Sequence, residues 1–207
     1  MRTRTRAILL SATLLLCITF PSATMHAQAG PTATQTLQIS AFGGGTATLI
    51  GLDKGRNIGI TAGGDLGFRA FFRMHPFLEV RGTMAIDNGA IAGLKNVLIG
   101  VKVEKTFSRV HPYGDFLFGR GEVNYNSPGF LNPSGTLYYL QSLSNIYSAG
   151  GGVDLDLTPH YALKADAQLQ HYSVPVTTTG SIYAKAFTVG VVYRFDFNHH
   201  PKHHDRQ

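Results

Sequence analysis

The chain has 207 residues, among them 24 glycines, 13 phenylalanines, 9 tyrosines, one cysteine and no tryptophan. Its formal net charge of +6 comes from dispersed basic residues, which argues against a nucleic-acid-binding protein. The length is that of one domain with a sizeable core.

The first 29 residues have the features of a signal peptide. Three arginines precede an apolar run over 7–20 that is too short to span a bilayer, and Ala27-Gln28-Ala29 has the small-x-small pattern of a cleavage site. We therefore expect an exported mature chain that begins at Gly30. Cys17 leaves with the leader, so the mature chain has no disulfide framework, and loss of three arginines lowers its charge to +3.

The rest of the chain alternates apolar and polar residues with a period of two, which predicts β-strands. In the clearest stretch, 161–171, the odd positions are mainly apolar and the even positions mainly polar. Between Tyr113 and Tyr125 the alternation changes parity, and a bulge at Gly119–Gly121 would reconcile the two halves. The predicted strands are 35–47, 57–73, 77–85, 95–107, 113–125, 146–157, 161–172 and 183–195.

The predicted connectors alternate between short and long. The short ones, 74–76, 107–112 and 158–160, each combine His with Pro, whereas those at 48–56, 86–94, 126–145 and 173–182 are longer. Short turns at one end and longer loops at the other are typical of an outer-membrane barrel.

Alternation alone leaves open whether the apolar face points into a soluble calyx or out into lipid. The polar face combines glycines with acids and bases in similar numbers, as a narrow lumen requires, because buried charges need partners. The apolar face ends in aromatic residues, as a membrane interface favours. The charged residues assigned to the lumen are Asp65, Glu79, Glu104, Asp154, Asp156, Asp166, Arg69, Arg81, Lys102, Lys164 and Arg194.

The predicted fold class is therefore all-β, an eight-stranded antiparallel up-and-down transmembrane β-barrel. We assign residues 1–29 to the signal peptide, 30–195 to the barrel domain, and 196–207 to a His-rich disordered periplasmic tail. The predicted location is the outer membrane of a Gram-negative-type cell, with both ends in the periplasm.

The chain resembles the small eight-stranded bacterial outer-membrane barrels, the OmpA/OmpX-like family, over roughly residues 35–195. Its last strand resembles the assembly signal of that family at Thr188, Gly190, Tyr193 and Phe195. The resemblance implies that the barrel assembly machinery reads this strand. Twelve residues follow Phe195, whereas the family usually ends at the terminal aromatic residue.

Five inward charges near the periplasmic ends of the last three strands are predicted to form one network: Asp154, Asp156, Lys164, Asp166 and Arg194. Antiparallel neighbours bring such side chains within reach of one another. Their paired charges are predicted to plug the lumen, and a narrow ion channel is the alternative.

One pair of residues raises the possibility of catalysis. Lipid A deacylases resemble this fold and carry a His-x-Ser pair facing lipid, which His171 and Ser173 match. Val174 replaces the Asn of that family, and Lys185 stands near the place of the required acid. We predict no catalytic residue and treat the deacylase as the weaker alternative.

Two further segments have candidate binding roles. Residues 199–204, HHPKHH, are compatible with a transition metal, but we favour a disordered polar end and predict no metal site and no cofactor. The loop 126–145 contains Tyr138-Tyr139-Leu140 among small polar residues, a composition suited to protein contact.

The predicted function is a non-enzymatic structural or surface-interaction role through extracellular loops. The predicted partners are outer-membrane lipid and lipopolysaccharide, the barrel assembly machinery, and an extracellular ligand of the loop 126–145. We predict a monomer that binds no nucleic acid.

Overall fold

A computed structural model describes residues 38–72 and 74–195. Eight long strands form the barrel: β1 (Gln38–Leu49), β2 (Arg56–Gly67), β3 (Met74–Asp87), β4 (Ala92–Lys105), β5 (Val110–Tyr125), β8 (Gln141–Asp156), β9 (Tyr161–Ser173) and β10 (Ser181–Phe195). They pair antiparallel and close in the order β1-β10-β9-β8-β5-β4-β3-β2, which confirms the predicted fold class. The short strands β6 (Phe130–Leu131) and β7 (Tyr138–Tyr139) pair within the connection between β5 and β8.

Two of the regions assigned from the sequence, the signal peptide (1–29) and the His-rich tail (196–207), lie outside the described residues. Within the described residues there is no helix long and apolar enough to cross a membrane.

The side chains of each barrel strand alternate between the lumen and the outer surface. On β10, Val189 is 70% exposed on the outside whereas Thr188, beside it in the chain, is 4% exposed in the lumen. The odd residues of 161–171 point outward, as predicted. Period two thus places the apolar row on the outer wall and the polar row inside.

The predicted bulge in β5 is absent. Pairing with β4 runs without a shift from Glu104↔Tyr113 to Ala92↔Tyr125, and pairing with β8 is equally regular. Arg120 and Glu122 therefore share the outer face with the phenylalanines of β5. They lie toward the end of the strand, where a charged side chain on the outer wall costs little because it reaches the interface.

The connections define two ends of the barrel. At the turn side, β2 connects to β3 through 68–73, β4 to β5 through 106–109, and β8 to β9 through 157–160. The loop side has the connections 50–55, 88–91, 126–140 and 174–180.

Several boundaries differ from the prediction. Strand β2, predicted to extend to residue 73, ends at Gly67. The connection predicted over 86–94 is a four-residue turn, because β3 and β4 extend further than the alternation indicated. Strand β8 begins at Gln141, so the predicted loop 126–145 is 126–140, here called the hairpin loop. The dipeptides at 75–76 and 111–112 lie within strands just after their turns, where proline is tolerated.

Close approach of strands β1 and β10 depends on glycine. Gly44 pairs with Gly190, and a Cβ added to Gly190 would lie 2.8 Å from the Cα of Gly44. Such a separation is too short for two carbon atoms, so larger residues would push apart the strands that close the barrel.

Candidate functional site

The turn-side half of the lumen is organised around Arg81 of β3, whose side chain is 2% exposed. Its Nε donates a hydrogen bond to Glu79 Oε1 at 2.6 Å and its Nη1 to Asp166 Oδ1 at 2.8 Å. Its Nη2 lies 3.4 Å from Asp115 Oδ2. One guanidinium thus joins β3 to β5 and β9 across the lumen. Its planar group carries several N–H donors, so a single arginine can bond several carboxylates.

Neutral side chains complete the hydrogen bonding of the same carboxylates. Gln168 Nε2 donates to both oxygens of Asp115 at 2.9 Å and to Asp166 Oδ2 at 3.1 Å. The Tyr113 hydroxyl donates to Asp166 Oδ2 at 2.8 Å. Asp166 therefore has a full set of partners, as a buried carboxylate needs.

Lys102 of β4 is the centre of a second group of charges. Its Nζ lies 3.1 Å from Asp65 Oδ2, 3.3 Å from Asp154 Oδ2 and 3.6 Å from Glu104 Oε2. The Nζ of Lys164 is 3.7 Å from Asp154 Oδ1.

Aromatic rings supply further contacts to the two lysines. The Tyr113 ring centroid lies 4.3 Å from Lys102 Nζ and 4.1 Å from Lys164 Nζ, and Phe42 lies 4.6 Å from Lys164 Nζ. These cation–π distances place both ammonium groups against ring faces, where water has little access.

A histidine connects the lysine group to the turn-side mouth. His111 Nδ1 is 2.9 Å from Glu104 Oε1, and His111 Nε2 is 2.8 Å from Asp156 Oδ2. Asp156 also pairs with Nη1 of Arg194. Hydrogen bonds of His111 and the Asp156–Arg194 ion pair thus form a chain across the mouth from β4 through β5 and β8 to β10.

The five charges predicted to form one network are divided between these groups. Asp154 meets Lys164, and Asp156 meets Arg194. Asp166 instead bonds to Arg81 on the far wall. Asp154 lies closer to Lys102, at 3.3 Å, than to Lys164, at 3.7 Å. Strand neighbours alone did not predict these partners because the contacts cross the lumen.

The lumen charge also differs from the predicted near balance. Arg69 lies in the exposed segment 68–72, not in the lumen, while Asp115 faces inward. The described lumen holds seven carboxylates, four fixed cations and His111. The carboxylates are Asp65, Glu79, Glu104, Asp115, Asp154, Asp156 and Asp166. The cations are Arg81, Lys102, Lys164 and Arg194. The field within the lumen therefore favours cations over anions.

Uncharged hydroxyl groups occupy the middle of the lumen. Thr188 meets Thr46 at 2.8 Å, Thr46 meets Thr61 at 2.6 Å, and Thr61 meets Thr83 at 2.9 Å. This row links four adjacent strands from β10 to β3. Thr188, assigned to the assembly signal, therefore also belongs to the packing of the lumen.

An apolar cluster, here called the loop-side cap, fills the lumen above the threonines. Leu98, Leu117 and Ile146 are at most 1% exposed within it. Ile50 and Leu52 reach it from one loop, and Val174 and Val176 from another. The cap was missed in the sequence because its loop residues lie outside the alternating pattern that marked the strands.

The hairpin loop is folded and has an inner and an outer face. Phe130 and Tyr139 pack against the loop-side cap, and the Phe130 ring lies 5.8 Å from that of Tyr125. At the tip, Asn132 Oδ1 accepts hydrogen bonds from the backbone nitrogens of Thr136 and Leu137 at 2.9 and 3.2 Å. The anchored base and bonded tip hold the loop in one shape.

The outer face of the hairpin loop is apolar. Tyr138 is 59% and Leu140 64% exposed, and Leu131 and Leu137 are exposed beside them. Because the hydrogen-bonded backbone of the loop already holds these apolar side chains in place, a partner would bind them with a low entropic cost of ordering the loop.

The aromatic residues of the predicted assembly signal lie on the outer wall at the turn side. The ring of Tyr193 lies 4.9 Å from Phe195 and 5.1 Å from Tyr161 in edge-to-face contacts. Gly190 faces the lumen beside Gly44. The four motif positions thus divide into an inner pair and an outer aromatic pair.

The candidate catalytic pair has an aromatic environment. His171 and Ser173 share the outer face of β9, and the strand register places His171 between Tyr147 and Tyr183. The His171 ring lies 5.1 Å from that of Tyr183. Neither neighbouring strand offers His171 a carboxylate at these paired positions, so the acid of a catalytic triad is not supplied there.

A closed eight-stranded barrel with an apolar outer wall and a polar lumen defines a protein that crosses a membrane with strands. Residues 10–195 match the sequence model of the outer membrane protein beta-barrel domain. The chain belongs to this family and is located in the outer membrane. No curated protein matches the sequence.

Several solved structures are similar to this one. Neisserial surface protein A has 17% sequence identity and a TM-score of 0.49, with 78% of this chain and 97% of that chain covered. Ail, the attachment invasion locus protein of Yersinia pestis, has 13% identity, coverages of 78% and 99%, and a TM-score of 0.47. OprG from Pseudomonas aeruginosa has 11% identity, coverages of 78% and 97%, and a TM-score of 0.45.

Proposed function

We propose that this protein is a non-conducting, non-enzymatic outer-membrane barrel that acts at the cell surface through its hairpin loop. The observation that supports the proposal is the filled lumen, with ion pairs at the turn side and the loop-side cap at the other end. A filled interior leaves the surface as the place where a partner can act.

The ion pairs favour a plug over a pore. Arg81, Lys102 and Lys164 have side chains at most 2% exposed, so solvent does not replace their carboxylate partners. Opening a path would separate charges in a region of low dielectric, which is costly. The apolar cap adds a second barrier to the passage of a hydrated ion.

The hairpin loop is the surface best suited to a protein partner. It presents tyrosine and leucine side chains on a backbone already fixed by Asn132. Tyrosine, here Tyr138, is among the residue types enriched at the positions that contribute most to binding in protein interfaces.

Attachment of bacteria provides the test of this role. Non-adherent cells that display the wild-type protein are expected to aggregate or attach to protein-coated surfaces, and Tyr138→Ser with Leu140→Ser is expected to remove most of that gain. The loss follows from removal of the exposed apolar patch while the inner face of the loop remains intact.

Leu157→Ser is a matched control, because Leu157 is 56% exposed but lies in a turn at the opposite end of the barrel. It is expected to attach like the wild type when surface levels are equal. Equal attachment by the loop variant and the wild type would contradict the proposed role of the loop.

Three further assignments are part of the proposal. Tyr193 and Phe195 form an outward aromatic pair available to the barrel assembly machinery during insertion. The barrel is a monomer surrounded by outer-membrane lipid and lipopolysaccharide. The His171–Ser173 pair is an interfacial pair without catalytic activity, supported by the aromatic neighbours of His171.

A further inference from the structure

The outer wall of the barrel has a groove of about 520 Å³ in its loop-side half. It crosses β2, β3, β4, β5 and β8, and its apolar lining includes Ile60, Ala62, Met84, Val97 and Leu143. These side chains point away from the lumen, so the groove opens onto the region occupied by membrane lipid.

The groove exists because two small residues, Ala62 and Gly82, lie side by side among larger ones. In register, Ala62 pairs with Gly82, Gly82 with Val97, and Val97 with Arg120. A Cβ added to Gly82 would meet a single neighbour, the carbonyl oxygen of Asn96, at 3.8 Å. Gly82 therefore leaves open space on the outer wall, and no close packing of strands requires a glycine there.

Two cations stand beside this apolar groove. Lys95 and Arg120 both line it and are exposed on the outer face; the acid Glu122 lines it as well, so the three side chains carry one net positive charge. Among residues 38–72 and 74–195, neither forms an ion pair within 4.0 Å, although Glu122 lies opposite Lys95 in the register. An unpaired ammonium and an unpaired guanidinium next to an apolar groove are complementary to an amphiphile with an anionic head.

We propose that this groove is a binding site for one acyl chain of a phosphorylated glycolipid of the outer leaflet, the lipid A portion of lipopolysaccharide. The acyl chain lies along Gly82 between Met84, Val97 and Ile60, and a phosphate contacts Arg120 and Lys95. The short turns place the opposite end of the barrel in the periplasm, so the groove lies in the leaflet that holds this lipid. The site is independent of the proposed role of the hairpin loop.

Binding is measured by native mass spectrometry of the folded full-length protein in mild detergent with added lipid A. The wild type is expected to retain one lipid A molecule. Gly82→Leu is expected to lose it, because the new side chain occupies the groove. Lys95→Gln with Arg120→Gln is expected to weaken binding roughly tenfold through loss of two charge-assisted contacts.

Matched variants separate occupancy of the groove from general effects on the barrel. Gly114→Leu adds the same side chain to the outer wall at the turn side, where the nearest neighbour of a Cβ is also a carbonyl oxygen at 3.8 Å. Lys105→Gln removes an outward cation at the turn side. Both are expected to retain lipid A, and Ala62→Leu is a second groove-filling variant if Gly82→Leu does not fold.

Lipid competition identifies the source of the ligand. Lipid A with both phosphates is expected to displace dephosphorylated lipid A and phosphatidylglycerol. Equal retention of phosphatidylglycerol, no retained lipid A on the wild type, or equal retention by folded Gly82→Leu and Gly114→Leu would each overturn the proposal.

Discussion

Replacement of Arg81 by alanine is expected to lower the free energy of unfolding by about 3–5 kcal/mol, since it leaves buried carboxylates without their cation. Arg81 holds Glu79 and Asp166 from opposite walls of the barrel. Arg194→Ala is expected to cost less, because the side chains of Arg194 and Asp156 are 14% and 25% exposed and water replaces part of the interaction. Urea unfolding of the barrel in lipid vesicles measures both changes.

Lys185→Ala is the control for this series. Lys185 is a cation on the outer face of β10 near the loop side, and it lies outside the lumen groups. Its replacement is expected to be nearly neutral. A cost for Lys185→Ala greater than that for Arg194→Ala would contradict the assignment of inner and outer faces.

The loop-side cap is expected to be a second major contribution to stability. Leu117 is fully buried within it, and Leu117→Ala is expected to lower the free energy of unfolding by about 2–5 kcal/mol through lost apolar contacts and a cavity. The same urea titration measures the effect.

Leu163→Ala makes the same chemical change on the outer wall, where Leu163 is 42% exposed. It leaves no enclosed cavity, so its cost is expected to be clearly smaller. Similar costs for the two variants would mean that the cap is not packed as described.

The alternation in the sequence predicted most of the barrel because a strand in a half-buried sheet repeats every two residues. In residues 161–171, for example, the alternation alone was enough to assign the charged side chains to the lumen. The prediction of a bulge in β5 was wrong. A bulge would have turned Arg120 and Glu122 away from the phenylalanine face, but the outer wall accepts charge near its interface.

Contacts across the lumen lay beyond the sequence argument. Whether Asp166 meets Lys164 or Arg81 depends on how far the strands are staggered when the sheet closes, and period two carries no information on that stagger. The loop-side cap was missed for a related reason. Val174 and Val176 belong to a loop, so only the closed barrel shows that they enter its mouth.

Single-channel recording in planar bilayers measures whether the lumen is filled. The reconstituted wild-type barrel is expected to show no openings comparable to those of a porin, because ion pairs and the loop-side cap close both halves of the lumen. Reproducible open conductance of typical porin size, selective for cations as the excess of lumen carboxylates requires, would contradict it.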